Sequence, residues 1–216
     1  KASRAFEYAS LVPDMITDWR NHWEQGEFPF LFVQLAAYDR PSEPTWPELR
    51  EAQRKALELP NTGMAVTIDI GHPTNIHPHN KWDVGKRLAL AALNMVYDRD
   101  ITYSGPVLEK AEPAGNQMKL TFTQVGEGLK ARGDYGYLMG FEVSSDNEHY
   151  EFAKADIIDE RTVLVWSEKV QLPVHVRYAW KNFPEEANLF NSENLPASPF
   201  RTGDWTWITE GNLYGD

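Results

Sequence analysis

The sequence predicts an α/β protein. Residues 1–98 read as half of a doubly wound, three-layer α/β/α sheet, and a small antiparallel β unit follows. Three observations lead there. Up to about residue 100, amphipathic helical stretches alternate with short runs that are apolar on both faces, as strands buried in a parallel sheet are. After Asp100 the texture changes to short β-rich runs separated by Gly, Asn and Asp turns. Two fully apolar strands cannot alone cover both faces and satisfy both edges of a parallel sheet, so further strands are expected from polypeptide preceding Lys1.

Residues 3–24 carry Phe6, Leu11, Met15, Ile16, Trp19 and Trp23 at helical spacing. Pro13 is expected to kink this helix or to start a second one at Asp14, and Gly26 to stop it. Phe30 to Leu35 is the first buried strand. Thr45 and Glu48 have the spacing of a capping box, opening a helix to about Leu59 with Leu49, Ala52 and Ala56 inward. A turn at 60–63 leads into a second buried strand, Met64 to Ile70. After a loop from Gly71 to His79, Asn80 caps a helix with Asp83 at its third position, and Val84, Leu88, Ala91 and Met95 line the apolar side.

Residues 99–216 form a β-rich accessory region with a loop-rich closing segment. Its strands are expected at Met118–Thr123, Gly140–Val143, Thr162–Trp166 and Val174–Tyr178, where apolar and polar residues alternate.

Composition narrows the function. Hydrophobic residues make up 42% of the 216, enough for a real core. No apolar run is long enough for a transmembrane helix, so no membrane span is expected. The opening stretch lacks the continuous apolar centre of a signal peptide. A net charge of −11 disfavours phosphate backbones, so no nucleic-acid partner is expected. The absence of cysteine excludes disulfides, thiolate catalysis and cysteine zinc sites. Eight Trp and nine Tyr suit either sugar binding or core and turn packing.

The chemistry concentrates in the segment from Asp69 to Lys81, beyond the carboxyl end of the second strand, where open α/β sheets bind ligands. It holds His72, His77 and His79, one acid, Asp69, and two prolines that limit backbone freedom. Three readings compete. His77 is the general base of a serine hydrolase; or the three histidines bind a metal such as zinc, although no His-Glu-x-x-His helix is present; or all three are polar loop residues. No serine stands in a Gly-x-Ser-x-Gly elbow. If His77 is a base, its serine lies elsewhere.

The stretch Asn75-Ile-His-Pro-His-Asn-Lys81, followed by Val84-Gly85-x-Arg87-Leu88-Ala89, resembles the Asp-Ile-His-Pro-x-Asn-Lys and Val-Gly-x-Arg-Leu block of the sialate O-acetylesterases, which are SGNH hydrolases. Phe28-Pro-Phe-Leu-Phe-Val-Gln-Leu-Ala36, Trp46-x-x-Leu-Arg-Glu-Ala-Gln53 and Thr62-Gly-Met-Ala-Val-Thr-Ile-Asp69 match in order. So do Val176-Arg-Tyr-Ala-Trp180, Asn188-Leu-Phe-Asn191 and Leu195-Pro-Ala-Ser-Pro-Phe-Arg-Thr202. The resemblance implies a flavodoxin-like SGNH sheet of which this chain is the carboxy-terminal portion. It implies a complementary amino-terminal polypeptide carrying the nucleophilic serine in a Gly-Gln-Ser-Asn block, with most oxyanion donors.

On that resemblance His77 is the base; Asn75 stands where the family often has an acid and as an amide can orient the ring without stabilising its charge. The third member stays open between Asp69, a carboxylate from the missing half, and a serine–histidine dyad with none. The implied substrate is an acetylated sugar, sialic acid first. The runner-up is an acetylxylan or general carbohydrate acetylesterase, and the alternative class is a non-catalytic carbohydrate-binding protein. No cofactor and no metal are implied, and a secreted or periplasmic location fits. Arg177, Tyr178, Trp180 and Arg201 either border the sugar cleft or pair with acids and fill the β core.

Overall fold

The computed structural model describes residues 2–42 and 44–213. The chain divides into two compact units. Unit 1 holds the residues up to Tyr103, Lys181–Phe183 and those from Thr206 on; unit 2 holds Ser104–Trp180 and Pro184–Trp205. The β-rich half thus returns two short segments to unit 1, which no composition shift at 98/99 announces.

Unit 1 begins with α1, Ala5–Trp23, a single helix with Pro13 inside it. It ends at Glu24, which itself takes the left-handed conformation (φ 53°) and donates its N–H to Arg20 O, two residues before the expected stop at Gly26. The face it buries is not the one the large apolar residues mark. Ala5, Val12, Ile16 and Arg20 are buried, whereas Leu11, Met15, Trp19 and Trp23 are 39–64% exposed. The small and branched residues permit close packing on α2, Trp46–Lys55, and the bulky ones are left outside.

β1, Phe30–Val33, pairs in parallel with β2, Thr62–Ala65, with Phe30 opposite Thr62 and Val33 opposite Ala65. Phe30 and Phe32 pack beside Val12 and Ile16 of α1. On the other face, Leu31 and Gly63 meet α3, Lys81–Met95. A Cβ on Gly63 would lie 2.8 Å from both Leu31 Cδ2 and Met95 Sδ, so glycine permits that approach. Helices therefore lie on both faces of the pair, but among the described residues of unit 1 the sheet has two strands. The wider three-layer sheet needs strands that these residues do not supply.

Both strands are shorter than expected, for one reason. Past Val33 and Ala65, polar side chains take over from the ladder. Thr67 Oγ1 donates to Gln34 O at 2.7 Å, and the Arg50 guanidinium takes the carbonyls of Leu35 and Ala36. Ile68–Ile70 then closes a 3-10 turn in place of a strand.

The capping box at α2 does not form. Thr45 makes no side-chain cap, and Glu48 accepts instead from Ile208 N (2.6 Å), Thr209 N and Thr209 Oγ1. The cap of α3 does form: Asn80 Oδ1 accepts from Asp83 N at 3.1 Å.

Unit 2 is all β. One antiparallel sheet contains β3 (Val107–Ala114), β4 (Gln117–Thr123), β8 (Lys154–Asp159) and β9 (Thr162–Trp166) in the order β3-β4-β9-β8. A second has β6 (Phe141–Ser144), β7 (Glu151–Phe152), β10 (His175–Tyr178) and β12 (Phe200–Arg201) in the order β12-β10-β6-β7, and β5 (Leu129–Ala131) pairs with β11 (Leu189–Asn191).

Alternation along the strands delivers Met118, Leu120, Phe122, Val163 and Val165 from one sheet, and Phe141, Val143, Val176 and Tyr178 from the other, into one core. Asn188 and Asn191 then staple the loops. Asn191 donates to Ser104 O and Gln124 O and accepts from Leu195 N; Asn188 donates to Arg132 O and Tyr137 O and accepts from Met139 N. Among the described residues no helix is long and apolar enough to cross a membrane.

Candidate active site

Two buried arginines hold the segments that follow the strands, Arg87 the base of the histidine loop and Arg50 the chain after β1. Arg87, on the apolar side of α3, reaches the end of β2: it donates to Val66 O at 2.6 Å and forms a two-pronged ion pair with Asp69, at 2.6 and 2.8 Å. Both side chains of the pair are 7% exposed. Arg50 is fully buried and donates to Leu35 O, Ala36 O, Lys181 O and Asn182 O. Burial pulls its pKa down from the usual arginine range to about 9, and the four carbonyls that receive its protons favour the charged form at neutral pH.

Backbone contacts bring the chain after β1 against the loop after β2. Gly71 sits so close to Ala37 that an added Cβ would lie 2.1 Å from Ala37 O, so only glycine fits there. His72 N donates to Ala37 O, and Asp39 N to Pro73 O.

Within the loop the short polar side chains close local turns. Thr74 N donates to His72 Nδ1 at 3.2 Å. Asn75 Oδ1 accepts from the backbone N of His77 at 2.9 Å, and Asn75 Nδ2 lies 3.2 Å from His79 Nε2. The rings of His72 and His79 stack with centroids 6.1 Å apart. His77 is thereby presented outward, exposed, with no hydrogen bond to its imidazole among the described residues.

The three predicted site residues are thus placed differently from one another. His77 stands at the exposed tip. Asn75 shapes the backbone beneath it, where the resemblance suggested an orienter of the ring. Asp69 is engaged with Arg87 at the base of the loop, a bracing position. His72 and His79 face each other across the loop, and among the described residues no group of three or more His, Asp or Glu side chains is gathered as a metal site.

Neither Arg87 nor Arg50 was recognised from the sequence as a bracing residue. The signal was there for Arg87: it falls on the same face as Val84 and Ala91, so a charge on an apolar stripe needed a buried acid, and Asp69 is the acid of that loop. In unit 2, Arg177 is paired with Glu142 at 2.7 Å, and Tyr178 is 1% exposed, with its hydroxyl accepting from Leu189 N. Arg201 donates to Asn147 O and lies over the rings of Tyr150 and Trp205. Each of the three thus has a partner within unit 2, and the Nε of Arg201 is buried without one among the described residues.

The chain can be set beside one solved enzyme of similar structure. The chain is similar to a carbohydrate acetylesterase. That enzyme, from Xanthomonas citri, is 44% identical, with a TM-score of 0.87 over 93% of this chain and 47% of its own. This chain therefore spans about half the length of that enzyme. No protein-family model matches the chain, and no curated protein does.

Proposed function

We propose that this chain is the histidine-bearing part of a carbohydrate O-acetylesterase of the SGNH type, acting with amino-terminal polypeptide that carries the nucleophilic serine. The observation that carries this reading is the exposed imidazole of His77 on a loop braced by the Arg87–Asp69 pair. The 44% identity to a carbohydrate acetylesterase supports the substrate class.

His77 takes the proton of the serine hydroxyl as its oxygen bonds to the acetyl carbonyl carbon. The carbonyl oxygen becomes an oxyanion, held by donors from the amino-terminal polypeptide. Collapse breaks the bond to the sugar oxygen, and His77 returns the proton to that oxygen. Water repeats the sequence on the acyl-enzyme and releases acetate. Asn75 and Asp69 act through the loop: one sets its turn, the other anchors its base.

The surface of unit 1 supports a polypeptide partner. Leu11, Met15, Trp19 and Trp23 on α1, and Trp82 (82% exposed) and Leu93 on α3, are apolar surface left on the helices of both faces of the two-stranded sheet. Added strands would extend that sheet into the three-layer form and give such surface something to pack on.

O-acetylated sialic acid is the finer substrate reading, and a neutral acetylated glycan such as acetylxylan is its rival; relative kcat/KM on the two decides between them. The test of the mechanism is His77→Ala in the assembly with the serine-bearing polypeptide. Activity should fall by about 10²–10⁴-fold, the loss expected for a general base acting with a nucleophile. His72→Ala and His79→Ala should cost far less. Retention of wild-type activity in His77→Ala overturns the proposal, as does equal loss in all three variants together with inhibition by a chelator.

A further inference from the structure

Unit 2 contains an open pocket of about 550 Å³, lined by its own residues alone. Its lining includes the rings of Tyr137, Phe152, Trp166 and Phe141. Tyr137 is 51% and Phe152 70% exposed, in a unit whose other aromatic rings include the buried Phe122, Phe141 and Tyr178. Large apolar rings left at the mouth of a pocket are an anomaly in a unit that otherwise closes its core well.

The wall is also rigidly set. Asn188, only 8% exposed, donates to Tyr137 O and accepts from Met139 N, so one buried amide fixes both ends of the Tyr137–Met139 segment. Gly140 then turns with φ +88°, against the Cα of Ala187, where a Cβ would lie 3.1 Å away. A pocket whose walls are held before any ligand arrives has the character of a built site.

We propose that this pocket binds a neutral oligosaccharide. A pyranose has apolar C–H faces and hydroxyls around its edge, so it matches aromatic walls together with polar groups at the rim. The lining supplies the exposed carboxylate of Asp156, which can take hydrogen bonds from hydroxyls.

Charge selects against acidic sugars and phosphate-bearing ligands. Among the described residues the one cationic side chain lining the pocket, Lys154, is already in an ion pair with Glu168 at 2.7 Å, two carboxylates also line it, and the whole chain carries −11. The choice of a sugar among neutral amphipathic ligands rests on the esterase reading above. The site itself is a second, non-hydrolytic one that would hold the glycan chain.

The experiment is a calorimetric titration of the 216-residue chain with unacetylated hexasaccharides. Cellohexaose and xylohexaose are the neutral probes; a sialyl oligosaccharide and hexagalacturonate are the acidic ones. At least one neutral probe should bind, and Phe152→Ala and Tyr137→Ala should each weaken it by about tenfold, the loss of one stacking ring. The acidic probes should not bind.

Both replaced side chains are largely exposed, so folding is retained, and a far-UV spectrum checks it. The proposal is overturned by no neutral binding into the millimolar range, by acidic probes binding as tightly, or by variants that bind as wild type does. Since no ester is cleaved, His77→Ala should bind normally. Failure here is thus distinct from failure of the hydrolytic mechanism.

Discussion

In unit 2, Met118, Leu120 and Phe122 of β4 share a core with Val163 and Val165 of β9 and Phe141 and Val143 of β6, each of them 1% exposed or less. Among the described residues of unit 1 the largest fully buried side chain is a charged one, Arg50, and two of the apolar clusters are small: Ala37, Met64, Val66 and Ile68 in one, Val12, Ile16 and Ala56 in another. The β unit closes on apolar packing; the α/β unit spends its buried volume on guanidinium groups that bind carbonyls at strand ends. Such groups stop the ladder early and hold the following loops in defined positions. The difference is between a unit built for closure and one built to present a loop, with apolar helix surface still uncovered.

That contrast can be broken. Phe122→Ala should destabilise unit 2 by about 3–5 kcal/mol in denaturant unfolding, the usual loss for an aromatic in a filled core. Trp23→Ala on the exposed stripe of α1 should change the stability of this chain by less than about 0.5 kcal/mol. A Trp23→Ala loss as large as that of Phe122→Ala would mean that the stripe is already covered.

Arg87→Met should cost unit 1 about 3–5 kcal/mol, because it leaves Asp69 buried without its charge partner. Restoring balance with Asp69→Leu should recover much of that stability while the loop at 66–80 stays less protected in hydrogen exchange. If the double variant recovers exchange protection as well, the pair does not brace the loop.

Asn80→Ala removes the cap of α3 and should cost about 1 kcal/mol. Thr45→Ala at α2, where no side-chain cap forms, should cost clearly less than that. Equal losses at the two positions would show that α2 is capped in solution after all.

The smallest effect is expected at an exposed turn of unit 2. Asp146 accepts from His149 N, His149 Nδ1, Glu148 N and Ser144 Oγ, which holds its carboxyl well below the usual carboxylate range, and Asp146 in turn raises His149. The His149 contribution is complete below the free value of 6.5 and is lost as pH rises through the higher folded value. The Asp146 contribution is present above 3.8 and is lost as pH falls through its lowered folded value. In an NMR titration His149 should therefore titrate above 6.5, and Asp146→Asn should bring it down; an unchanged midpoint in that variant removes the pair.

What the sequence by itself determined is the part governed by neighbours along the chain. Period-two alternation placed β4 at Gln117–Thr123 and β9 at Thr162–Trp166 almost to the residue, because inward and outward positions on a pleated strand differ in burial. Asn80 and Asp83 announced the start of α3, since a cap bond spans three residues. The position of the histidine loop after a buried strand was legible for the same reason.

The tertiary structure alone decided which partner each buried polar group takes. Glu48 has a capping-box spacing to Thr45, yet its carboxylate binds Thr209, 161 residues away. Asp69 pairs with Arg87 and Asn75 with the backbone of His77, and α1 turns its small residues inward and leaves its tryptophans outside. Local patterns encode energies of a few neighbouring contacts. A buried charge is matched across the fold by whichever opposite group the packing brings within reach, and no periodicity records that distance.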